Sequence, residues 1–165
     1  MIILLSSLSS HSYLMNSASE RSIGASVRLL LVDDHPAGLA ARTSVLTELG
    51  FAITTASSAE EAFVKFQVEP FPLVVTDYKL PGKTGVDLIA GIRAVAPETR
   101  IVLISGFVDV LGLTEHSTGA DAVLTKSANE VGQLIRAVSR LLRRTVAKKP
   151  GTAKRIAVKK AGAAG

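Results

Sequence analysis

The stretch "LVVTDYKLPGKTG", residues 73–85, decides the fold. Four apolar or β-branched residues run into Asp77, and a Pro-Gly pair then leads to Gly85. A short continuous run of this kind suits a strand buried on both faces, as in a parallel sheet. Such a strand carries one carboxylate to its carboxyl end, and the Leu80-Pro81-Gly82 turn orders the chain beyond it.

Four further runs share that character: "VRLLLV" (27–32), "FAITTA" (51–56), "RIVLIS" (100–105) and "DAVLT" (121–125). Helical segments lie between them. Pro36 opens one that includes Leu39, Leu46 and Leu49 and closes at Gly50. Ser58 with Glu61 has the spacing of a capping box ahead of Phe63 and Phe66, and Leu88, Ile92 and Val95 recur at helical spacing before Pro97. Ser127 with Glu130 is a second expected capping box, ahead of the amphipathic series Val131, Leu134, Ile135, Val138, Leu141 and Leu142. Residues 107–120 predict only a short or irregular helix, because Gly112 and the polar run 114–118 interrupt it. Five strands alternating with helices imply a parallel sheet covered on both faces.

The bulk composition agrees. The 165 residues are 47% hydrophobic and 20% charged, enough for one domain with a proper core. There is no cysteine, which removes disulfides, thiolate nucleophiles and thiolate metal sites, and fits a reducing, cytoplasmic setting. Aromatics make up 4% with no tryptophan, against a base-stacking surface. The net charge of +5 is unevenly placed. Eight Lys or Arg and no acid follow from Arg143 onward, leaving 11 basic against 14 acidic residues in 1–142. Residues 1–26 lack the charge pattern and apolar length of a signal peptide and are expected to be a disordered leader. Residues 145–165 are expected to be a basic flexible tail, and no run has the length of a membrane span.

The polar residues that end the apolar runs carry the chemistry. Asp33 and Asp34 follow the first run, Asp77 the third, and Lys126 the fifth, while Ser105 ends the fourth. Each has an ordinary role when taken singly: a helix cap, a turn residue or a solvated lysine. Together they bring three carboxylates, a hydroxyl and an ammonium to the sheet edge where open α/β folds build their sites. Three neighbouring carboxylates need a cation to stay ionised, and an all-oxygen donor set suits a hard divalent ion such as Mg²⁺.

Residues 27–144 resemble the receiver domains of two-component response regulators, on "LVDDHP" (31–36), "VVTDYKLPGKTG" (74–85), "VLISG" (102–106) and "GADAVLTKS" (119–127). The resemblance implies a flavodoxin-like (βα)5 three-layer α/β sandwich with a five-stranded parallel sheet in order 2-1-3-4-5. It implies Asp77 as phosphoacceptor, with Mg²⁺ held by Asp34 and Asp77, by Asp33 mainly through water, and by the backbone carbonyl of Lys79. Ser105 and Lys126 would bind the phosphoryl oxygens. The implied donor is a bacterial histidine kinase or histidine phosphotransfer protein, and the implied output is contact with a downstream protein target. The expected whole is a stand-alone receiver that accepts phosphate without being a turnover enzyme.

The chain departs from that family at two positions beside the lysine. Val123 occupies the switch position where receivers commonly carry an aromatic ring, and Ser127 replaces the usual proline. Valine is small and stiff at χ1, so the moving part is expected to be the backbone of 106–112, with Gly106 and Gly112. Phe107 is expected to pack, and His11, His35 and His116 to be solvated or capping. Two other function classes compete. One is a phosphorylation-regulated nucleic-acid-associated protein whose basic tail contacts DNA phosphates. The other is a Mg²⁺-dependent phosphohydrolase with an aspartate nucleophile, although the second acid such enzymes often carry two residues on is Lys79 here.

Overall fold

The computed structural model of the protein describes residues 26–146, with side chains as far as Arg143. Nearly all of the expected leader and basic tail, and His11, lie outside the described residues. The elements in chain order are β1 (Arg28–Val32), α1 (Pro36–Glu48), β2 (Ala52–Ala56), α2 (Ala59–Val68), β3 (Leu73–Asp77), α3 (Gly85–Val95), β4 (Arg100–Ser105), α4 (Val108–Leu111), α5 (Glu115–Thr118), β5 (Ala122–Thr125) and α6 (Glu130–Val146). The five strands form one parallel sheet in the order β2-β1-β3-β4-β5.

Alternation along the central strands divides the core in two. Leu30, Val32, Val74, Ile101 and Leu103 pack with Ala62, Phe66, Leu88, Ile89 and Ile92 of α2 and α3. Leu29, Leu31, Leu73, Val75, Val102 and Ile104 pack on the other face with Leu46 of α1 and Leu134, Val138 and Leu141 of α6. Burying each such side chain contributes about 1.5–3 kcal/mol. The strand series is buried on both faces, which is why it reads as continuous apolar runs and not as alternation.

Local signals set the element ends, with some differences from expectation. His35 caps α1 as expected, its Nδ1 accepting from the Gly38 N–H at 3.2 Å, with Pro36 in the first turn. Ser58 Oγ accepts from the Glu61 N–H as expected, but the Glu61 carboxylate accepts from Ser57 and not from Ser58. The box expected at Ser127 does not form. Ser127 Oγ accepts weakly from the Asn129 N–H at 3.3 Å, and Glu130 turns its carboxylate to Arg42. Thr84 and Asp87 make a complete capping box at α3. The irregular stretch is two single turns, α4 and α5, separated by Gly112 at φ 58° and ended by Gly119 at φ 73°.

Two contacts place the site. Arg93 on α3 donates to the carbonyls of Gly119 and Thr99 and to the Asp121 carboxylate, pinning the entry to β5 and therefore the reach of Lys126. Gly85 follows the turn after β3, and its N–H donates to the Tyr78 carbonyl at 2.8 Å. A Cβ at Gly85 would stand 2.2 Å from the Asp77 carbonyl oxygen, so this glycine is required by close backbone approach. Gly85→Ala is expected to lower unfolding free energy by about 1–3 kcal/mol, as overpacking against backbone does, which urea denaturation measures directly.

Candidate functional site

The carboxyl ends of β1, β3, β4 and β5 bring the expected residues together. Asp34, His35, Asp77, Lys79, Ser105, Gly106, Phe107 and Lys126 line one cavity of about 270 Å³. Asp33, Asp34 and Asp77 each present a carboxylate oxygen within 4.8 Å of the others. Asp33 and Asp77 are buried, and Asp34 is exposed. Asp77 is the last residue of β3 itself, held in register opposite Ile104, so only its carboxylate leaves the sheet.

Lys126 Nζ donates to Asp77 Oδ2 at 2.7 Å, and its own N–H donates to the Ser105 carbonyl at 2.9 Å. The ends of β4 and β5 thus hold the ammonium over the nucleophile candidate. Ser105 is buried, and its Oγ accepts from the Phe107 N–H at 3.0 Å, which leaves the O–H as a donor. Phe107 does not pack as expected. Its ring is half exposed at the cavity rim. Val123 is partly buried against the core on the α2–α3 side, with no ring at that position.

Sequence reasoning missed Arg42. It lies on the stripe of α1 that carries Leu39 and Leu46, and a charge on a buried stripe was the available signal. Arg42 is 7% exposed. Its Nη1 donates to Asp33 Oδ2, and its Nε donates to Glu130 Oε1 at 2.6 Å. Burial works against the Arg42 charge, but hydrogen bonds and attraction from Glu130 and Asp33 outweigh it and push its pKa up. The second Asp33 oxygen, Oδ1, accepts from the His35 N–H at 2.8 Å. Two of the three clustered carboxylates therefore have a basic partner.

The donor set fits a hard divalent cation. It consists of carboxylate oxygens converging on one point, with Asp34 open to solvent. Among the described residues this is the group of acidic side chains with ligand spacing.

Asp33 to Lys126 thus make a complete acidic site at the sheet edge of a flavodoxin-like domain. The chain belongs to the response regulator receiver domain family, whose sequence profile matches residues 29–139. It is 32% identical over 120 residues to a gliding motility regulatory protein of Myxococcus xanthus, covering 70% of this chain and 15% of that one. It is 24% identical over 115 residues to the response regulator receiver protein CpdR of Brucella abortus, covering 70% of this chain and 96% of that one. Among solved structures it resembles the response regulator TrrA of Thermotoga maritima in complex with Mg²⁺-BeF. The TM-score is 0.63 at 31% identity, over 69% of this chain and 97% of that one. Receivers are signalling domains of two-component systems, and the fold and strand order agree with that membership. Among the described residues no helix is long and apolar enough to cross a membrane.

Burial pushes the Asp77 carboxyl above the usual carboxylate range; Lys126 opposes this, and the neighbouring Asp33 charge adds to it. A carboxyl whose folded pKa is raised lowers stability above that raised value, and the penalty disappears as pH falls through the ordinary carboxylate range. Asp77→Asn is therefore expected to melt higher than the native chain at pH 7 in chelator-containing buffer. The gap should close toward pH 3.5, and thermal melts at both pH values check it.

Proposed function

We propose that this chain accepts a phosphoryl group on Asp77 from a histidine kinase or histidine phosphotransfer protein, with Mg²⁺ as cofactor. The observation that carries the reading is the Asp77 carboxylate in an open cavity, faced by Lys126 and flanked by two further carboxylates. Asp34, Asp77 and the Lys79 carbonyl would hold the cation directly, and Asp33 through water. The cation supplies charge neutralisation, so that an anionic phosphoryl group can approach the acidic edge.

The chain's own residues then have distinct tasks. An Asp77 oxygen attacks phosphorus, the O–P bond forms, and the donor N–P bond breaks with its electron pair left on the imidazole nitrogen. Lys126, now 2.7 Å from Asp77 Oδ2, transfers its hydrogen bonds to the phosphoryl oxygens. The Ser105 O–H donates to another of them. In-line displacement of this kind is governed by positioning and electrostatics, both supplied by rigid strand ends.

A stand-alone organisation draws support from CpdR, almost all of whose length the chain covers. The chain spans 15% of the gliding motility regulator, so a receiver within a longer regulator is the competing arrangement. The cytoplasm, where histidine kinases phosphorylate receivers, is the proposed location. Output would pass through 106–112, because α4 has no buried side chain and Gly112 already holds a left-handed conformation.

A small phosphodonor with Mg²⁺ is expected to give acid-labile, hydroxylamine-sensitive phosphate on the native chain and none on Asp77→Asn. Label on the Asn variant at the native rate would remove Asp77 from its role. Lys126→Met should slow labelling on the order of 10²-fold, as loss of one preorganised donor does. With a beryllofluoride mimic, amide exchange should change in 105–120 as well as 77–85. Changes confined to 77–85 would separate phosphate uptake from signalling through α4.

A further inference from the structure

Arg42 is not among the residues that line the cavity, yet it joins two elements that the receiver reading leaves unconnected. One hand of its guanidinium holds Asp33 Oδ2, and the other holds Glu130, the first residue of α6. The fit is built. A Cβ at Gly38 would stand 3.0 Å from Asp33 Oδ2 and 3.4 Å from Arg42 Nη1, so the glycine leaves room for the pair. Glu130 gives up the capping role its spacing with Ser127 suggests in order to reach Arg42. Arg42, Asp33 and Asp77 border a packing gap too small to admit a water.

We propose that Arg42 is a positioning residue for the cation site, and that through Glu130 it makes occupancy of that site felt at the first turn of α6. A guanidinium and a divalent cation compete for the charge of the same Asp33 carboxylate, whether the cation acts directly or through a water. The planar guanidinium has five N–H donors, so what it releases at Asp33 it can give to Glu130. Cation binding therefore strengthens the Arg42–Glu130 contact. By reciprocity, weakening that contact must weaken cation binding by the same factor. This path runs on the α1–α6 side of the sheet and does not involve position 123. The inference rests on Asp33, Asp34 and Asp77 being a cation site.

The test is a Mg²⁺ titration of the full, nitrogen-15-labelled chain, read at the amides of 77–79 and of 130–133. Both groups are expected to shift with one midpoint, and in Arg42→Met the shifts at 130–133 should be lost while those at 77–79 persist. By calorimetry, Glu130→Gln should weaken Mg²⁺ binding about five-fold in the native background, the low end of the usual coupling between two sites, and should leave Mg²⁺ binding by Arg42→Met unchanged. Shifts at 77–79 with silence at 130–133 in the native chain would overturn the coupling and leave the cation site standing. Silence at both would overturn both. Equal weakening by Glu130→Gln with and without Arg42 would reduce Glu130 to a distant charge and also overturn the inference. The native titration and Glu130→Gln decide the matter even where Arg42→Met does not fold.

Discussion

Everything at the carboxyl edge of this sheet answers to the mutual repulsion of three carboxylates whose oxygens lie within 4.8 Å. Like charges so close cannot all stay ionised without compensation, and two of them are also buried. The fold supplies one cation to each buried acid: Lys126 from the end of β5 to Asp77, and Arg42 from α1 to Asp33. Asp34 is exposed to solvent. Removing either basic side chain would leave an uncompensated buried charge, which in proteins costs about 3–5 kcal/mol. The site is thus balanced but not saturated, and under the proposed function a divalent ion with an incoming phosphoryl group would shift that balance locally.

The architecture that makes this possible is economical in its use of rigid parts. Asp33, Asp34, Asp77, Ser105 and Lys126 come from strand ends or the residues next to them, whose positions are fixed by sheet hydrogen bonds and by the packing of Leu31, Val75 and Ile104 below. The groups that the proposed output route would move sit elsewhere. The 106–119 stretch consists of single helical turns broken by glycines, with Phe107 half exposed at the rim. Strand-fixed groups and short helical turns are thus separate segments of chain, an arrangement that suits a site proposed both to react and to signal.

Much of this was legible in the residues. The five strands and the meeting of Asp33, Asp34, Asp77, Ser105 and Lys126 follow from apolar runs that end in polar residues, and the strand order follows from the family resemblance. The failures have physical causes. Capping boxes depend on what else can reach the acid. Glu130 has the right spacing from Ser127 but finds a buried guanidinium instead, and Glu61 finds Ser57. Arg42 could not be paired from sequence because its partners come from the residue after β1 and from α6, and only the folded sheet brings them together. The close approach that requires a glycine at position 85, where an added Cβ would stand 2.2 Å from the Asp77 carbonyl oxygen, leaves no trace in spacing.

The division of the core into two clusters by the sheet has a consequence for how this protein can change over time. Residues of α2 and α3 share side-chain neighbours only with one face of the strands, and those of α1 and α6 only with the other. Substitutions on opposite sides should combine nearly additively, whereas those within one layer should interact. The sheet therefore acts as a partition. One layer can drift to suit a new partner while the Asp33–Arg42–Glu130 triplet, on the far side, keeps its geometry.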